Sequence, residues 1–455
     1  MIDRRSALAG IAATAAAATI PTAAGAADMK PREVIIPDAQ LRGPRMNMTR
    51  AYEIMERQGI DAMVLGEGLN FYHASGERPV TTRMGHAPSA FVIVSRSDSQ
   101  PLSMVLPSFS YYYLLADVHR PEDFPAYLYT APGEAVGPNG EPTALPVTVF
   151  RDRKEMPLDD IEARRGSLAL MAEREIGAWA GARYAMARAL KDIGLTRGTL
   201  AFDHPTVRGL LEEVAPQATL VDADNALRHI RPVKSDLEIA LMRQAATANA
   251  EAAMAAVQTV REGATYRELR NAFWVEAGLR GNHGVFMVID RVSAEGFDAP
   301  FRDGQAFLID AVSEYQGYHG DYGRTVFIGE PSRPMAKATR TVGEAWNEVR
   351  AAMKPGMRFS QISALGQETL RKMGADYTVS FTPHSVGLYH TDHVGMAGAA
   401  AFREDWVLEK GMILSVDCPL LEAGVGGSAH LEDLTLITAT GSESINDVGD
   451  QTIIV

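Results

Sequence analysis

Four carboxylates and one histidine in the second half of the sequence lie at positions where such residues are costly unless they bind something. Each carboxylate lies next to an apolar, strand-like run, and burying a carboxylate costs several kcal/mol unless it is paired or bound to a metal ion. A single histidine would be ordinary on its own, but oxygen ligands together with one imidazole form a donor set for divalent cations. The sequence therefore predicts a metal site built from Asp310, Asp321, His384, Asp417 and Glu432.

The first two carboxylates of this set are separated by eleven positions, with a turn-forming stretch between them. A chain reversal at residues 315–318 would pair the flanking strands, and side chains on one face of a strand repeat at every second residue. Asp310 and Asp321 are therefore predicted to lie on the same face of a β-hairpin.

The order and spacing of these residues resemble the creatinase/aminopeptidase superfamily, the pita-bread metallohydrolases of peptidase family M24. That family has a similarly spaced pair of aspartates, then an H-x-x-G motif, a GM-hydrophobic-E-P strand and a final E-D pair. The corresponding segments here are Asp310 with Asp321, His384-Ser385-Val386-Gly387, the run 411–419 and Glu432-Asp433. The resemblance implies the fold of that family and metal-dependent hydrolysis.

Further segments extend the resemblance across most of the chain. Residues 231–238 are similar to the family's R-x-x-K-s-x-x-E segment at the start of its catalytic domain. Residues 60–62 and 70–72 are similar to a creatinase-type N-terminal domain, which points to the Xaa-Pro aminopeptidase and prolidase branch. The fold class implied is α+β, with a C-terminal pita-bread catalytic domain preceded by a smaller α/β N-terminal domain.

The resemblance also implies roles for these residues. Two divalent ions (Mn, Co, Zn or Fe) would be bridged by Asp321 and Glu432, and a metal-bridged hydroxide would attack the scissile carbonyl. Asp417 occupies the position at which the family has its general base. The family's second histidine, which contacts the substrate or the developing charge, corresponds to His390 or to His393, and the closer His390 is favoured.

Three positions depart from the family pattern. Asp417 replaces a glutamate, which withdraws the carboxylate by about one C–C bond, ~1.5 Å, enough to weaken a metal bond. The substrate-binding histidine that usually lies shortly before the first aspartate is absent from residues 291–300. His430 replaces the arginine that commonly stands two residues before the last glutamate.

Three functions are compatible with this pattern. The leading hypothesis is a secreted Xaa-Pro aminopeptidase or dipeptidase-like metallopeptidase that acts on a small peptide or a small-molecule amide. The second is a non-peptidase that cleaves a C–N or C–S bond of a small metabolite, similar to creatinase or to the dimethylsulfoniopropionate lyase whose acid/base residue lies at the offset of His390. The third is a non-catalytic binding protein, against which the nearly complete ligand set argues.

The elements that must position the site are predicted from hydrophobic periodicity. Residues 45–228 are predicted as the N-terminal domain, in which helices alternate with short apolar strands as in an α/β domain. The main elements predicted there are strands at 62–65, 90–94, 104–106, 200–202 and 220–221 and a helix at 177–195.

Residues 229–455 are predicted as the catalytic domain. It begins with an Ala-rich helix over residues 236–260, for which Ser235 and Asp236 are candidate N-caps. Further predicted elements are two helices at 336–353 and 360–373 and strands at 284–289, 307–310, 412–416 and 434–437.

The first residues of the chain predict an export signal. Arg4-Arg5 precede an apolar, Ala-rich run, and Ala24-Gly25-Ala26 offers a cleavage site. We therefore expect a twin-arginine-type signal over residues 1–27, a linker or arm over residues 28–44, and a periplasmic or secreted protein without a membrane span in its mature form.

Composition excludes several other classes of function. The 455 residues carry a formal net charge of −13, which argues against a nucleic-acid partner because phosphate binding relies on clustered Lys and Arg. The single cysteine, Cys418, excludes an intramolecular disulfide. The resemblance to the Xaa-Pro branch implies a homodimer.

Overall fold

The computed structural model describes residues 43–97, 100–114, 124–130, 152–395, 404–446 and 448–455. The predicted signal peptide (1–27) and nearly all of the predicted linker (28–44) lie outside the described residues. Within the described ranges, no helix is both long and apolar enough to cross a membrane.

A seven-stranded mixed sheet organises the N-terminal part of the described chain. Its strands are β1 (Ala62–Leu65), β2 (Phe91–Ser95), β3 (Leu102–Pro107), β4 (Ala126–Thr130), β5 (Ala178–Ala180), β6 (Arg197–Phe202) and β7 (Gln217–Asp222). They lie in the order β5-β4-β3-β2-β1-β6-β7, and β2 runs antiparallel to both of its neighbours. The accompanying helices are α1 (Met48–Gln58), α2 (Gly68–Ser75), α3 (Val80–Arg83), α4 (Ser108–Leu114), α5 (Asp160–Glu175), α6 (Ala182–Asp192), α7 (Pro205–Val214) and α8 (Asp224–Ile230).

The central strand β1 is covered on both faces, which explains its uninterrupted apolar sequence. All four of its residues are buried, as expected for a strand with helices on both sides of the sheet. On one face α1 contributes Ile54 and Met55 to the core, and on the other α6 contributes Met186 and Leu190.

The prediction of one continuous helix over residues 177–195 is wrong at its beginning. The first part of that segment forms β5, and the helix starts only after Gly181, whose φ is +100°. A positive φ is accessible at low cost to glycine but not to residues with a Cβ atom, so Gly181 turns the chain from the strand into α6.

The C-terminal part combines long helices with two further sheets. The helices are α9 (Asp236–Val257), α10 (Tyr266–Leu279), α11 (Arg333–Ala352) and α12 (Phe359–Lys372). The strands are β8 (His283–Ile289), β9 (Ala306–Tyr315), β10 (Tyr318–His319), β11 (Tyr322–Phe327), β12 (Thr382–Ser385), β13 (Ile413–Asp417), β14 (Glu432–Asp433), β15 (Thr435–Ile437), β16 (Ser442–Ser444) and β17 (Thr452–Ile454). A six-stranded sheet contains β8, β9, β10, β11, β14 and β17, and a four-stranded sheet has the order β12-β13-β15-β16.

Helix α9 begins where its capping residues predict. The Ser235 hydroxyl accepts from the Glu238 backbone N–H, and the Glu238 carboxylate accepts from the Ser235 N–H, which is a capping box. Further along, the Asn249 side chain donates to the Ala311 backbone oxygen at 2.7 Å. The helix therefore lies directly behind β9, the strand that carries Asp310.

Polar contacts join the N-terminal sheet domain to the C-terminal part. The Tyr72 hydroxyl donates to the Gln316 backbone oxygen at 2.7 Å, and His73 Nε2 lies 3.0 Å from a Glu238 carboxylate oxygen with both side chains buried. The N-terminal domain thus contacts the turn between β9 and β10. The predicted α+β architecture is confirmed, while the boundaries at residues 45, 228 and 229 stay predictions.

Candidate active site

The two C-terminal sheets bring the five predicted ligands together. Asp310 lies in β9 and Glu432 in β14, and both strands pair with β11, which Asp321 immediately precedes. The other sheet supplies His384 from β12 and Asp417 from the end of the adjacent strand β13. The predicted hairpin is present, because β9 and β11 are antiparallel neighbours. In its register, the two aspartates fall on the same face.

His384 stands in the middle of the carboxylates. Its Nε2 atom is 3.4 Å from Asp417 Oδ2, 3.6 Å from Asp321 Oδ2 and 3.7 Å from Glu432 Oε1. Its Nδ1 atom is 3.2 Å from the backbone oxygen of His390, which can only accept a hydrogen bond. The neutral ring therefore carries its proton on Nδ1 and presents the Nε2 lone pair to the cluster.

Several buried polar atoms of this cluster make no hydrogen bond within the described part of the chain. They are Asp310 Oδ1, both carboxylate oxygens of Asp321, and His384 Nε2. A buried polar atom left unsatisfied costs roughly 1–3 kcal/mol, so four of them in one place call for a missing partner. Oxygen atoms with an imidazole nitrogen suit a divalent cation, and the residues therefore fit the predicted metal centre.

The pKa values of the carboxylates show how strongly negative charge is concentrated here. Burial, followed by the charge of Glu432, raises the pKa of Asp310 well above its ordinary value and also raises the pKa of Asp417. Burial alone would raise the pKa of Glu432 as well, but the neighbouring His384 and His430 rings outweigh burial and lower that pKa well below its usual range. A cation would relieve the repulsion among these groups.

The potential ligand atoms form overlapping groups, and within each group all of the atoms lie within 4.8 Å of one another. In the ranges that the structure describes, the groups are Asp321–His384–His390, His384–Asp417–Glu432 and Asp310–His430–Glu432. All five predicted ligands are included, and two further histidines join them.

His430 is the potential ligand that the sequence reasoning missed. Its Nε2 atom lies 2.9 Å from Glu432 Oε2 and 3.9 Å from Asp417 Oδ1, and its side chain is 2% exposed. The sequence showed it only as a replacement for an arginine. The spacing in the sequence could have indicated it, because a residue two positions before Glu432 on an extended chain points to the same side as Glu432.

The two candidate catalytic histidines have different surroundings in the structure. His390 Nε2 lies 3.1 Å from Asp321 Oδ2; burial would lower the pKa of His390, but the Asp321 carboxylate raises it above its ordinary value. His393 instead packs edge-on against Trp406, its Nδ1 accepts a hydrogen bond from the Ser385 N–H, and burial lowers its pKa to about 4. His390 therefore reaches the cluster and His393 does not, while the catalytic role of either stays a prediction.

A buried ion pair holds the loop over residues 389–393, which carries His390. Lys234 Nζ lies 2.7 Å from Asp392 Oδ2, and both side chains are almost fully buried. A Cβ atom at Gly387 would lie 2.7 Å from Lys234 Nζ and would overlap the Asp392 carboxylate, so only glycine allows this close approach. The lysine of the predicted R-x-x-K segment thus positions the loop beside the cluster of predicted ligands.

Comparison with known proteins identifies the C-terminal part. Residues 240–439 match the sequence model of Metallopeptidase family M24. This part of the chain belongs to that family. Among curated relatives, the Xaa-Pro dipeptidase of Pyrococcus horikoshii is 26% identical over 251 residues, which cover 52% of this chain and 70% of the relative. The probable dipeptidase PepE of Mycobacterium tuberculosis is 28% identical over 243 residues, covering 51% of this chain and 63% of the relative.

Solved structures extend the similarity of the fold to both domains. The prolidase of Pyrococcus horikoshii matches with a TM-score of 0.61 at 18% identity, covering 89% of this chain and 99% of that structure. The dipeptidase PepE of Mycobacterium ulcerans matches with a TM-score of 0.62 at 18% identity, covering 90% of this chain and 96% of that structure. The predicted M24 family, pita-bread fold and metallohydrolase class are thereby confirmed.

Asp417 is more open to solvent than the two fully buried carboxylates of the M24 centre. Its side chain is 33% exposed, whereas those of Asp321 and Glu432 are fully buried. The shorter side chain therefore leaves space on the solvent side of the cluster. This is the position at which the sequence pattern departs from the family.

Phe286 of β8 is a second residue that the sequence reasoning missed. Its ring packs edge-on against His390 with the ring centroids 5.2 Å apart, and the side chain is only partly buried. No motif marks it, because an aromatic residue in a strand usually indicates core packing. It gives the M24 domain an apolar wall beside His390.

Proposed function

We propose that this protein is a metal-dependent peptidase of the Xaa-Pro type, either a dipeptidase or an aminopeptidase. The observation that carries the proposal is the set of buried, unpartnered carboxylate and imidazole atoms at Asp310, Asp321 and His384 inside an M24 domain. Support for the substrate comes from similar proteins that are named Xaa-Pro dipeptidase and prolidase.

The residues proposed to hold the metal are Asp310, Asp321, His384, Asp417 and Glu432. Asp321 and Glu432 are the fully buried carboxylates of the set, and we propose that these two bridge a pair of ions of the Mn, Co, Zn or Fe type. Divalent cations held there would polarise the scissile carbonyl and lower the pKa of the attacking water.

Asp417 is proposed to move the proton of that water. Its carboxylate faces both the cluster and solvent, and its pKa is raised by burial and by Glu432, which suits a group that gains and then loses a proton. Hydrolysis of an Xaa-Pro bond adds OH to the carbonyl carbon and H to the proline nitrogen. Asp417 would therefore take the proton from water and return it to the departing amine.

His390 and Phe286 are proposed to bind the substrate. The partly exposed His390 ring, 3.1 Å from Asp321, can donate a hydrogen bond to the oxygen that gains negative charge during the attack. Phe286 packs against the same ring and offers an apolar face to a proline ring.

The test is a substrate screen with metal-free and metal-loaded protein. Protein treated with EDTA and then loaded with Mn²⁺, Co²⁺ or Zn²⁺ should hydrolyse Xaa-Pro dipeptides or remove the residue before proline from longer peptides. Asp321→Asn should abolish this hydrolysis, while His283→Gln, at an exposed histidine of β8, should retain it. Full hydrolysis in excess EDTA would reject the proposal.

The same screen separates the other hypotheses. Metal-loaded protein that ignores Xaa-Pro peptides but cleaves another amide or a sulfonium compound would identify a non-peptidase of the superfamily. Protein that binds no divalent metal by elemental analysis would indicate a non-catalytic binding protein.

We further propose that residues 1–27 direct export to the periplasm or the medium and that the mature protein is a homodimer. Export rests on Arg4-Arg5 and the Ala-rich run that follows, and replacing both arginines with lysine should keep the protein inside the cell. The homodimer rests on the resemblance alone. Light scattering of the purified protein would reject it by giving the mass of a single chain.

A further inference from the structure

The imidazole of His430 lies in the cluster beside Glu432. Its Nε2 atom faces Glu432 Oε2 at 2.9 Å and belongs to a group of potential ligand atoms with Asp310 and Glu432. His384 belongs to the other groups, with Asp321, Asp417 and Glu432. The group of Asp310 therefore contains one imidazole, that of His430. The group of Asp321 contains those of His384 and His390, and Glu432 is shared by the groups of His384 and His430.

Gly323 creates the space in which the His430 ring lies. It stands opposite Asp310 on one neighbouring strand and opposite Glu432 on the other. A Cβ atom at this position would lie 2.6 Å from His430 Nε2 and closer still to the adjacent ring carbon. Any side chain at residue 323 would therefore displace the ring, so the ring can lie here only because residue 323 is glycine.

The backbone of His430 is also fixed. The Thr325 hydroxyl accepts from the His430 N–H at 3.0 Å and donates to the His430 backbone oxygen at 3.1 Å. The buried Cys418 thiol contacts the ring as well. The Thr325 hydrogen bonds fix the backbone from which the ring projects, and the ring Nδ1 atom is buried without a hydrogen bond in the described part of the chain.

We propose that His430 Nε2 is a second nitrogen ligand of the metal centre, on the ion that Asp310 and Glu432 hold, while His384 ligates the other ion. This inference rests on the proposed metal-dependent function but not on the identity of the substrate. The extra imidazole compensates for Asp417, whose side chain is one methylene shorter than the family's glutamate. Because imidazole suits Zn, Co and Ni better than it suits Mn, the centre should favour those metals more strongly than a centre with one histidine.

The competing explanation is that His430 only positions Glu432 through a hydrogen bond. Loss of metal affinity cannot separate the two explanations, because removing a partner of a ligand also weakens metal binding, on the order of 10- to 100-fold. A direct count of the ligating imidazoles is needed.

Proton NMR of the Co²⁺-loaded protein gives that count. Each imidazole that ligates Co²⁺ through Nε2 keeps an Nδ1–H whose signal is strongly shifted by the paramagnetic ion and disappears in D₂O. The wild-type protein should show one such signal more than His430→Gln, and His384→Gln should lose a different one. His283→Gln should retain them all. A Co²⁺-loaded His430→Gln protein with the wild-type number of signals would overturn the proposal.

Two further variants make the outcome independent of how well His430→Gln folds. His390→Gln, which leaves both buried rings in place, should show two shifted exchangeable signals, and a single signal would contradict the proposal. Gly323→Ala should lose the same signal as His430→Gln, because its methyl group takes the space of the ring. These counts need no substrate, so a protein without Xaa-Pro hydrolysis can still confirm or reject the second nitrogen ligand.

Discussion

At the scale of single residues, His390 differs from the other histidines of the centre because its ring is open to solvent. Its side chain is 31% exposed, against 7% for His384 and 2% for His430. Buried rings can act as ligands without access to substrate, whereas a group that contacts a bound peptide must face the opening. The exposure of His390 therefore supports its proposed role in binding the substrate.

His390→Gln is expected to lower kcat for Xaa-Pro hydrolysis by roughly 10²- to 10⁴-fold, the usual contribution of a positioned proton-donating side chain. Metal content by elemental analysis should stay at the wild-type level, because the predicted ligands remain. His393→Gln serves as the comparison and should cost less, since that ring lies outside the cluster. A larger loss of kcat in His393→Gln than in His390→Gln would show that His393, the other candidate from the sequence, is the catalytic histidine.

Asp417→Glu restores the family residue at the open edge of the centre. The added methylene extends the carboxylate by ~1.5 Å, and the 33% exposure of the present side chain leaves room for it. We expect tighter binding of Mn²⁺, by about tenfold, together with faster Xaa-Pro hydrolysis. Titration calorimetry and initial rates measure the two effects.

Asp417→Asn is the matched control for that change, because it keeps the length of the side chain and removes the charge. It should weaken Mn²⁺ binding and hydrolysis. If Asp417→Glu also weakened both, the shorter aspartate would be the residue that this chain's substrate requires, which would favour a reaction other than peptide hydrolysis.

The sequence predicted the five family-type ligands because each motif keeps its own order and spacing. It could not predict that His430 joins them, since the arrangement depends on the packing of Gly323 of β11 against a neighbouring strand. It also gave no reason to select Phe286 as a site residue, because Phe286 and His390 lie on elements that are distant in sequence. Local motifs identify ligands, whereas packing across strands decides which other side chains reach them.

At the scale of elements, the loop over residues 389–393 depends on a lysine far away in sequence. Lys234 precedes α9, and its ammonium group lies between the Asp392 carboxylate and the Arg231 backbone oxygen. The segment at the start of α9 therefore fixes the conformation of the loop and the position of His390.

Lys234→Met should destabilise the protein by about 3 kcal/mol or more, since it leaves the Asp392 carboxylate buried without its main partner. Asp392→Asn should also destabilise it. The double variant should lose less than the sum of the two single losses, because the groups interact directly. Urea unfolding of the four proteins measures this, and strict additivity would contradict a direct interaction.

The ion pair of Lys234 and Asp392 should also make the stability of the protein depend on pH. Burial would raise the pKa of Asp392, but Lys234 and Arg231 lower it below its ordinary value. The stabilisation is therefore fully present above the unfolded pKa of about 3.9 and is lost as the pH falls through the lower folded value. The stability difference between wild type and Asp392→Asn should shrink in acid below about pH 4.

The long helices were predictable from sequence and the exact strand ends were not. The helix predicted at 236–260 is observed as Asp236–Val257 and that at 360–373 as Phe359–Lys372, because capping and breaking residues mark their ends. The strand predicted at 307–310 extends to Tyr315. Polar residues in that extension pair with β8 and β10, and such pairing leaves no signal in local hydrophobicity.

At the scale of the whole molecule, the proposed metal site links segments that are far apart in the chain. The proposed ligands come from residues 310 to 432 and from two separate sheets, so an ion bound there would hold those sheets together. The N-terminal domain contacts the turn of the hairpin that carries the first two ligands. Metal binding is therefore expected to stabilise the folded protein as a whole.

Removal of the metal should lower the melting temperature by an amount that depends on pH. In the metal-free protein, burial raises the pKa of Asp310, and the neighbouring carboxylates, Asp417 first among them, outweigh burial and raise the pKa of His384. The folded state then binds more protons than the unfolded state above the ordinary histidine pKa of about 6.5, so stability without metal falls as the pH rises.

Binding of the ion requires the same groups to be deprotonated, so the stabilisation by metal should grow with pH. A free ion concentration a hundredfold above Kd stabilises the folded state by about 2.7 kcal/mol. Melting curves with EDTA and with Co²⁺ at about pH 6 and about pH 8 should therefore diverge more at the higher pH. His283→Gln, outside the cluster, should behave like the wild type. An equal difference at both pH values would mean that protons and metal do not compete for these side chains, and the cluster would not be the metal site.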